Sequence, residues 1–154
     1  MIGTASGAKL FIATTTATPA NLAAYQALVW TEVKEVEDLG EFGDEAEQIK
    51  FTALSDGRTR TLKGPRDAGA MAIVVGSDLL DAGQTAMEAA EASTLDHNFK
   101  IELNDAITLA GDPSEHYFHG KVFSKRMNVG NASNVIRRNF SIGVNSVILS
   151  TDPT

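Results

Sequence analysis

Histidine offers the widest range of chemistry in this sequence, and it occurs three times, at His97, His116 and His119. Its imidazole can bind a metal ion or exchange a proton near neutral pH. On a strand, however, positions 116 and 119 point to opposite faces, so this pair cannot readily chelate one ion. We therefore interpret the three as surface histidines that can change charge, and we expect neither a metal site nor a cofactor.

Ser77 and Asp78 have the residue types of a nucleophile and its partner. Neither a glycine elbow nor an orienting histidine accompanies them, and serine or aspartate ahead of a helix usually caps it. Gly64-Pro65 and Gly69 lack the spacing and the lysine of a phosphate-binding loop. The sequence therefore predicts a cap at residues 77–78 and no phosphate site.

Glu35 and Glu37 could form a paired-carboxylate site, because alternate residues of a strand share a face at a separation of about 7 Å. Nothing apolar nearby would keep one carboxyl protonated as a general acid, and no row of aromatic residues would hold a sugar. We interpret the pair as part of a solvated acidic face. No catalytic residue is predicted, so we do not expect an enzyme.

This pair belongs to a longer acidic stretch, EVKEVEDLGEFGDEAEQ at residues 32–48, which sets eight carboxylates against the single cation Lys34. Most cations lie in two other stretches: Arg58, Arg60, Lys63 and Arg66, then Lys121, Lys125, Arg126, Arg137 and Arg138. The pattern fits ordinary solvated surface. It also fits self-association, because copies with opposite signs at opposite ends can stack head to tail. The sequence leaves both interpretations open.

The composition limits the class of protein. A chain of 154 residues with 43% hydrophobic and 21% charged residues is expected to form one domain with one core. A net charge of −7 argues against general binding to nucleic acid. Cysteine is absent, no apolar run approaches the length that a bilayer needs, and the N-terminus lacks the features of a signal peptide. We expect a soluble protein made in a reducing cytoplasm, with no membrane partner.

Hydrophobic alternation predicts seven or eight strands, most of them half-buried and antiparallel. The predicted strands cover residues 9–16, 30–37, 49–53, 59–62, 71–75, 99–103, 117–124 and 134–149, with a hairpin turn at Asp56-Gly57 and a short helix at 21–28. In the last strand, Ile136, Phe140 and Ile142 fall on the core side. The predicted fold class is mainly β, an antiparallel β-sandwich or open barrel with one flanking helix.

The flanking helix is predicted over residues 81–93, DAGQTAMEAAEAS. Asp81 can cap it, with Gln84 at the third helical position. An apolar stripe recurs at helical spacing and should pack flat against the sheet, with its first and third members as anchors: Leu80, Gly83, Met87 and Ala90.

Three motifs in order resemble the major tail tube proteins of long-tailed bacteriophages. A strand led by Trp30 precedes an acidic glycine loop, Asp81-Ala82-Gly83-Gln84 opens the helix, and an aromatic-x-Gly-x-Val motif at Phe118 to Val122 precedes the final strand. The resemblance runs from about Trp30 to Val147.

The resemblance implies a helix-flanked β-sandwich that forms hexameric rings, whose inner strands join into a barrel and which stack into a tube that conducts genome DNA. It implies a place in the virion tail, assembly in the host bacterial cytoplasm, and transient passage of DNA without specific binding. Other partners would be the tape measure, tail tip and terminator proteins. A gene transfer agent or a tailocin would look the same in this sequence.

The resemblance implies contact with the next ring through a long loop between early strands and through an N- or C-terminal arm. By position, residues 38–48 and 55–70 match that loop. The inter-ring candidates are Glu41, Asp44, Glu45 and Glu47 against Arg58, Arg60, Lys63 and Arg66, and the lumen candidates are Glu32, Glu35 and Glu37. Residues 1–8 are expected to form a flexible N-terminal arm and residues 149–154 a C-terminal tail.

A carbohydrate-binding or adhesion module with a β-sandwich fold stays open as the alternative. It would need exposed aromatic residues in a row. Most of the aromatic residues here are needed for the core, among them Tyr25, Trp30 and Tyr117.

Overall fold

The computed structural model describes residues 2–154, in which ten strands and two helices form. The elements are β1 Lys9–Ala13, α1 Leu22–Gln26, β2 Thr31–Val33, β3 Val36–Asp38, β4 Glu45–Thr52, β5 Thr59–Asp67, β6 Ala70–Gly76, α2 Ala82–Ala92, β7 His97–Glu102, β8 Glu115–Asn128, β9 Arg137–Val144 and β10 Leu149–Thr151. Neither helix is long and apolar enough to cross a membrane.

Eight strands form one antiparallel sheet in the order β2-β1-β7-β8-β9-β6-β3, with β10 paired to the start of β8. The strands at its two edges, β2 and β3, are separated in the chain by only Lys34 and Glu35. The sheet must therefore curl until its edges approach each other. Among the strands of residues 2–154, β4 and β5 pair only with each other. The predicted class, a mainly antiparallel β fold with a flanking helix, is confirmed.

The core lies on the concave side of the curled sheet, under α2. Alternate residues of each long strand supply it, as the two-residue period of a strand requires. The fully buried side chains are Leu10, Ile12, Met71, Ile73, Val75, Phe99, Ile101, Phe118 and Ile142. Met87 and Ala90 of α2 close the core from the other side, each with no exposed surface.

The start of α2 confirms its predicted cap and corrects the predicted apolar stripe. The Asp81 carboxylate accepts a hydrogen bond from the backbone N–H of Gln84 at 3.0 Å. Leu80, predicted as an anchor, is 95% exposed because it lies before the cap, outside the helix. Gly83 is buried, and a Cβ at this position would meet the Glu32 carbonyl oxygen of β2. A glycine here lets the helix approach the sheet edge closely.

The single strand predicted over residues 30–37 is wrong. The chain breaks at Lys34–Glu35, where Glu35 takes a φ of 59°. β2 before the break pairs with β1, whereas β3 after it pairs with β6 at the other edge of the sheet. Glu35 and Glu37 therefore do not share a strand.

The hairpin turn at Asp56-Gly57 is confirmed, and the hairpin is longer than predicted. Gly57 has a φ of 62°, which suits a tight turn, and Asp56 accepts a hydrogen bond from Arg58 N. Ala46 pairs with Arg66, and Gln48 pairs with Lys63. The acidic loop predicted over residues 38–48 is thus too long, because backbone pairing with β5 draws residues 45–48 into β4. The loop covers residues 39–44.

The structure also corrects two predicted boundaries near the C-terminus. The last long strand ends at Val144 and starts at Arg137, so Ile136 lies outside it and is 45% exposed. The predicted C-terminal tail contains β10, in which Leu149 pairs with Tyr117.

Candidate functional site

The residues first considered for catalysis are dispersed. His116 Nδ1 lies 2.7 Å from Ser150 Oγ, whereas His119 Nδ1 lies 2.7 Å from Asn98 Oδ1. Asp78 accepts a hydrogen bond from Leu80 N, so it caps a turn just before the helix. Across residues 2–154, no three His, Cys, Asp or Glu side chains converge to hold a metal ion.

The tautomer of buried His119 follows from its neighbour. Asn98 Nδ2 donates to the carbonyl oxygens of Thr15 and Ala17, each at 3.0 Å, so Asn98 Oδ1 is the acceptor for His119 Nδ1–H. Burial lowers the pKa of His119, and the opposing charge of Asp96 only partly offsets this. A neutral imidazole therefore ties β7 and β8 to the segment that follows β1.

The aromatic residues considered for sugar binding form an internal cluster. Tyr25 and Tyr117 are each 2% exposed, with ring centroids 5.7 Å apart. Trp30 packs on Tyr117 at 5.8 Å and donates its indole N–H to Tyr25 O. These three rings do not form an exposed row.

The N-terminal turn of α2 joins the two edges of the sheet. Gln84 is fully buried, and its amide nitrogen donates to Lys34 O at 3.1 Å and to Gly76 O at 2.8 Å. Its amide oxygen accepts from Asp78 N, and the Asp81 carboxylate accepts from Lys34 N. We call this network the seam. Sequence reasoning found Gln84 as a capping residue and missed its contacts across the seam.

The hairpin, residues 45–67, extends from the sheet with none of its side chains buried. One face carries Ile49, Phe51 and Leu62, which are 45%, 57% and 58% exposed, and Ile49 pairs directly with Leu62. The other face is polar, with Lys50 opposite Thr61. An isolated two-stranded hairpin is marginally stable in water. The rest of the subunit, as described by residues 2–154, leaves this apolar face about half exposed.

The eight predicted inter-ring residues all lie on or beside this hairpin. Glu41 and Asp44 are in the preceding loop, which Leu39 and Phe42 anchor to the core. The other six lie on the hairpin: Glu45, Glu47, Arg58, Arg60, Lys63 and Arg66. Within residues 2–154 none of the eight forms an ion pair with another, and Arg60 pairs instead with Asp56 at 2.7 Å.

The three predicted lumen residues lie on separate segments. Glu32 is on β2 and partly exposed, Glu35 is exposed at the break, and Glu37 is exposed on β3. Arg137 donates to the Glu37 carboxylate, and this hydrogen bond raises the pKa of the Arg137 guanidinium.

The strand register gives the subunit two distinct ends. Gly76 pairs with Arg137, and Asn128 also pairs with Arg137, so the segments 77–80 and 129–136 meet at one end. We call these segments the loop end. At the other end of β6, Ala70 pairs with Gly143, and the chain continues there into the hairpin through residues 68–69.

Charge differs between these ends. The loop end adjoins the four cations Lys125, Arg126, Arg137 and Arg138, whereas the hairpin end carries Glu41, Asp44, Glu45 and Glu47. Lys125 and Arg138 both pair with Glu88, at 3.7 and 2.8 Å. Arg126 is exposed and forms no ion pair with any described residue. The hairpin cations share an end with these acids, so the hairpin end carries both signs, and the later cation stretch lies at the loop end.

Neither a family model nor a curated protein matches this sequence. Its fold does match solved structures. A chain in the structure of the sheath/tube terminator of an extracellular contractile injection system, PVC, aligns with a TM-score of 0.69 at 8% identity, over 98% of this chain and 97% of that chain. A chain of the anti-feeding prophage baseplate aligns at 0.63, with 10% identity and coverage of 94% and 91%. The SPP1 tail tube protein aligns at 0.61, with 12% identity and coverage of 94% and 76%.

These similarities define the class of fold. The chain has the tail tube fold, which the phage SPP1 tail tube shares with proteins of contractile injection systems. The motifs at residues 30–48, 81–84 and 118–122 predicted this fold correctly.

Proposed function

We propose that this protein is a structural subunit that assembles into hexameric rings, which stack into a tail tube that conducts DNA. The observation that carries the proposal is the hairpin, which projects an uncovered apolar face from a tail tube fold. A monomer gains nothing from exposing Phe51 and Leu62, whereas a stacked ring can bury them. Sixfold symmetry is supported by the anti-feeding prophage baseplate, whose structure was sixfold symmetrised.

Unpaired strand edges supply the contacts within a ring. Residues 121–128 of β8 pair with β9 but lie beyond the reach of β7, whose pairing stops at Gly120. The outer edge of β3 is also unpaired within the described part of the chain, where β6 is its one partner in the sheet. Neighbouring subunits would close such edges by strand pairing, which joins their sheets into one wall.

The hairpin and its acidic base supply the contacts between rings. Glu41, Asp44, Glu45 and Glu47 would lie against cations of the adjacent ring, and Glu32, Glu35 and Glu37 would face the lumen. A negative lumen suits DNA passage, because fixed positive charge would bind phosphates and slow the chain. The net charge of −7 supports this assignment.

The proposed partners are further copies of this chain and the other tail proteins, namely the tape measure, tail tip and terminator. The match to a sheath/tube terminator structure supports contacts of this kind. The proposed location is the virion tail, after assembly in the cytoplasm of the host bacterium.

Negative-stain electron microscopy of the concentrated, purified protein tests the proposal. Hollow rings or tubes are the expected result, with or without a phage initiator complex. Featureless monomers under all these conditions, together with the absence of this chain from purified tails, would refute it.

A further inference from the structure

We propose that residues 14–30 open as one unit from the outer face of the sheet, the side opposite the core, while the core stays folded. This segment joins β1 to β2 and contains α1, and we call it the strap. Its opening is a property of the free subunit and does not depend on assembly into a tube.

The strap has little structure of its own. Within residues 14–30, Tyr25 is the one buried residue. The helix α1 has five residues, too few for a helix to be stable in water without tertiary contacts. A segment with few buried apolar contacts and an exposed backbone is the kind that opens locally, below the free energy of global unfolding.

Two anchors hold the strap against the sheet. Near its start, Asn98 of β7 donates hydrogen bonds to two strap carbonyl oxygens, each at 3.0 Å. Near its end, the rings of Tyr25 and Trp30 pack on the ring of Tyr117, with centroids 5.7 and 5.8 Å apart. The sheet therefore holds the strap at two positions, and release of both frees the segment between them.

The surface beneath the strap is a polar layer. The strand register places Phe11, Lys100 and Tyr117 side by side on the outer face. The side chain of Lys100 is 11% exposed, and its ammonium lies 3.5 Å from Glu102 and 3.4 Å from Glu115. Charged groups regain hydration when the strap opens, so uncovering them costs less than uncovering apolar side chains.

The core does not depend on the strap. The core cluster of the described chain includes no residue of the strap and lies on the other face of the sheet, under α2. A cavity of about 440 Å³ beside Trp30 is lined by Lys100, Glu115 and Tyr117, so water reaches the polar layer at this end while the strap is closed. The strap is thus a lid that can uncover the outer face of β1, β7 and β8 without exposing the core.

Tryptophan fluorescence tests the opening, because Trp30 is the only tryptophan in the chain and lies on the strap. We would follow Trp30 emission and far-ultraviolet circular dichroism of the free subunit in increasing urea. The Trp30 transition should have a midpoint at least about 1 M lower than the transition of the sheet. Coincident transitions would overturn the proposal.

A matched pair of variants assigns the early transition to the strap. Tyr25→Ala removes the buried anchor and should lower the Trp30 midpoint while the circular dichroism midpoint stays unchanged. Val29→Ala, at a position of the same strap that is 86% exposed, should move neither midpoint. An equal shift of both midpoints by Tyr25→Ala would show that the strap unfolds with the core.

Hydrogen exchange in native buffer separates opening of the whole strap from fraying of α1. The hydrogen-bonded amides of Ala24, Tyr25, Ala27 and Leu28 should share similar protection, at least about a hundredfold below that of the amides of β7. Protection equal to that of β7 would contradict the opening. Widely different protection among the four amides would indicate fraying and would also contradict it.

Discussion

The amide of Gln84 donates a hydrogen bond to the carbonyl of Lys34, fifty residues earlier in the chain. Lys34 lies at the break between β2 and β3, the two edges of the sheet. The same amide also donates to Gly76 at the end of β6. One buried side chain therefore bridges the break between the two sheet edges and the end of β6.

Replacing Gln84 with leucine should destabilise the subunit by about 2–4 kcal/mol, because Lys34 O, Gly76 O and Asp78 N would lose a buried hydrogen-bond partner. Chemical denaturation of the free subunit measures this change. Gln48→Leu, at an exposed position of β4, is the control and should change the free energy of unfolding little. Equal stability of the two variants would contradict the role of the seam.

Met87→Asp should prevent soluble expression, because it places an unpaired charge where Met87 has no exposed surface, at a cost of several kcal/mol. Leu80→Asp makes the same chemical change at a 95% exposed position and should leave the melting temperature nearly unchanged. Soluble yield and thermal melting of both variants test this pair. A wild-type melting temperature for Met87→Asp would show that α2 does not pack on the core as described.

Changing Glu41, Asp44, Glu45 and Glu47 together to lysine should leave folding intact, since all four are exposed, and should block stacking. Each exposed ion pair contributes at most about 1 kcal/mol and weakens with salt, but repetition around a ring multiplies the effect. Electron microscopy and circular dichroism of the variant measure assembly and folding. Normal tubes from this variant would show that the acidic stretch is ordinary solvated surface.

A second set of reversals identifies the partner of these carboxylates. Adding Arg126→Glu to the lysine variant should recover part of the assembly if the loop end is the partner. Changing Arg58, Arg60, Lys63 and Arg66 to glutamate in the lysine variant should recover part of the assembly if the hairpin cations are the partner. Recovery through the hairpin set alone would identify the hairpin cations as the partner of the carboxylates.

The melting temperature of the free subunit should fall as the pH decreases from 7.5 to 5. Burial lowers the pKa values of His119 and His116 in the folded state. The unfolded state therefore binds protons first, from about pH 6.5 downward, and stability is lost until the pH passes the folded-state pKa values. His119→Gln should flatten part of this dependence and His116→Gln another part. A melting temperature that rises as the pH decreases from 7.5 to 5 would contradict this prediction.

The charged or titratable groups near His119 include Asp96, His97 and Lys121. Burial raises the pKa of Asp96, but hydrogen bonds from Asn145 and Lys121 outweigh it and lower the pKa overall. Asp96 thus remains ionised across the range from pH 7.5 to 5. The expected change in that range therefore comes from the imidazoles.

Much of the core could be predicted from sequence because burial on one side of a strand imposes a two-residue period. Phe99, Ile101, Phe140 and Ile142 followed that period and are buried. The cap of α2 was equally predictable from Asp81. That cap also places Leu80 outside the helix. The helical spacing of the apolar residues did not indicate this.

No sequence pattern predicted the break at Glu35. A positive φ is uncommon for glutamate, and neither glycine nor proline marks the position. It follows from the curling of the sheet, which depends on contacts with Gly76 and Gln84 that are distant in sequence. Pattern reasoning on a local window does not include those contacts.

The hairpin shows a second limit of prediction from the sequence. Ile49, Phe51 and Leu62 alternate as the residues of a half-buried strand do, yet no part of the same subunit covers them. The alternation predicts a burial that residues 2–154 of the subunit do not supply. Alternation in a segment that its own fold leaves exposed is therefore a useful signal for an assembly surface.

The position of the hairpin in an assembled tube decides whether this protein stacks through residues 45–67. A cryo-electron microscopy reconstruction of tubes grown from the purified protein would measure it. We expect stacked rings of six subunits, with residues 45–67 of each subunit lying across the boundary between rings and Phe51 and Leu62 buried there. Monomers at high concentration, or rings whose hairpins point into solvent away from the adjacent ring, would contradict it.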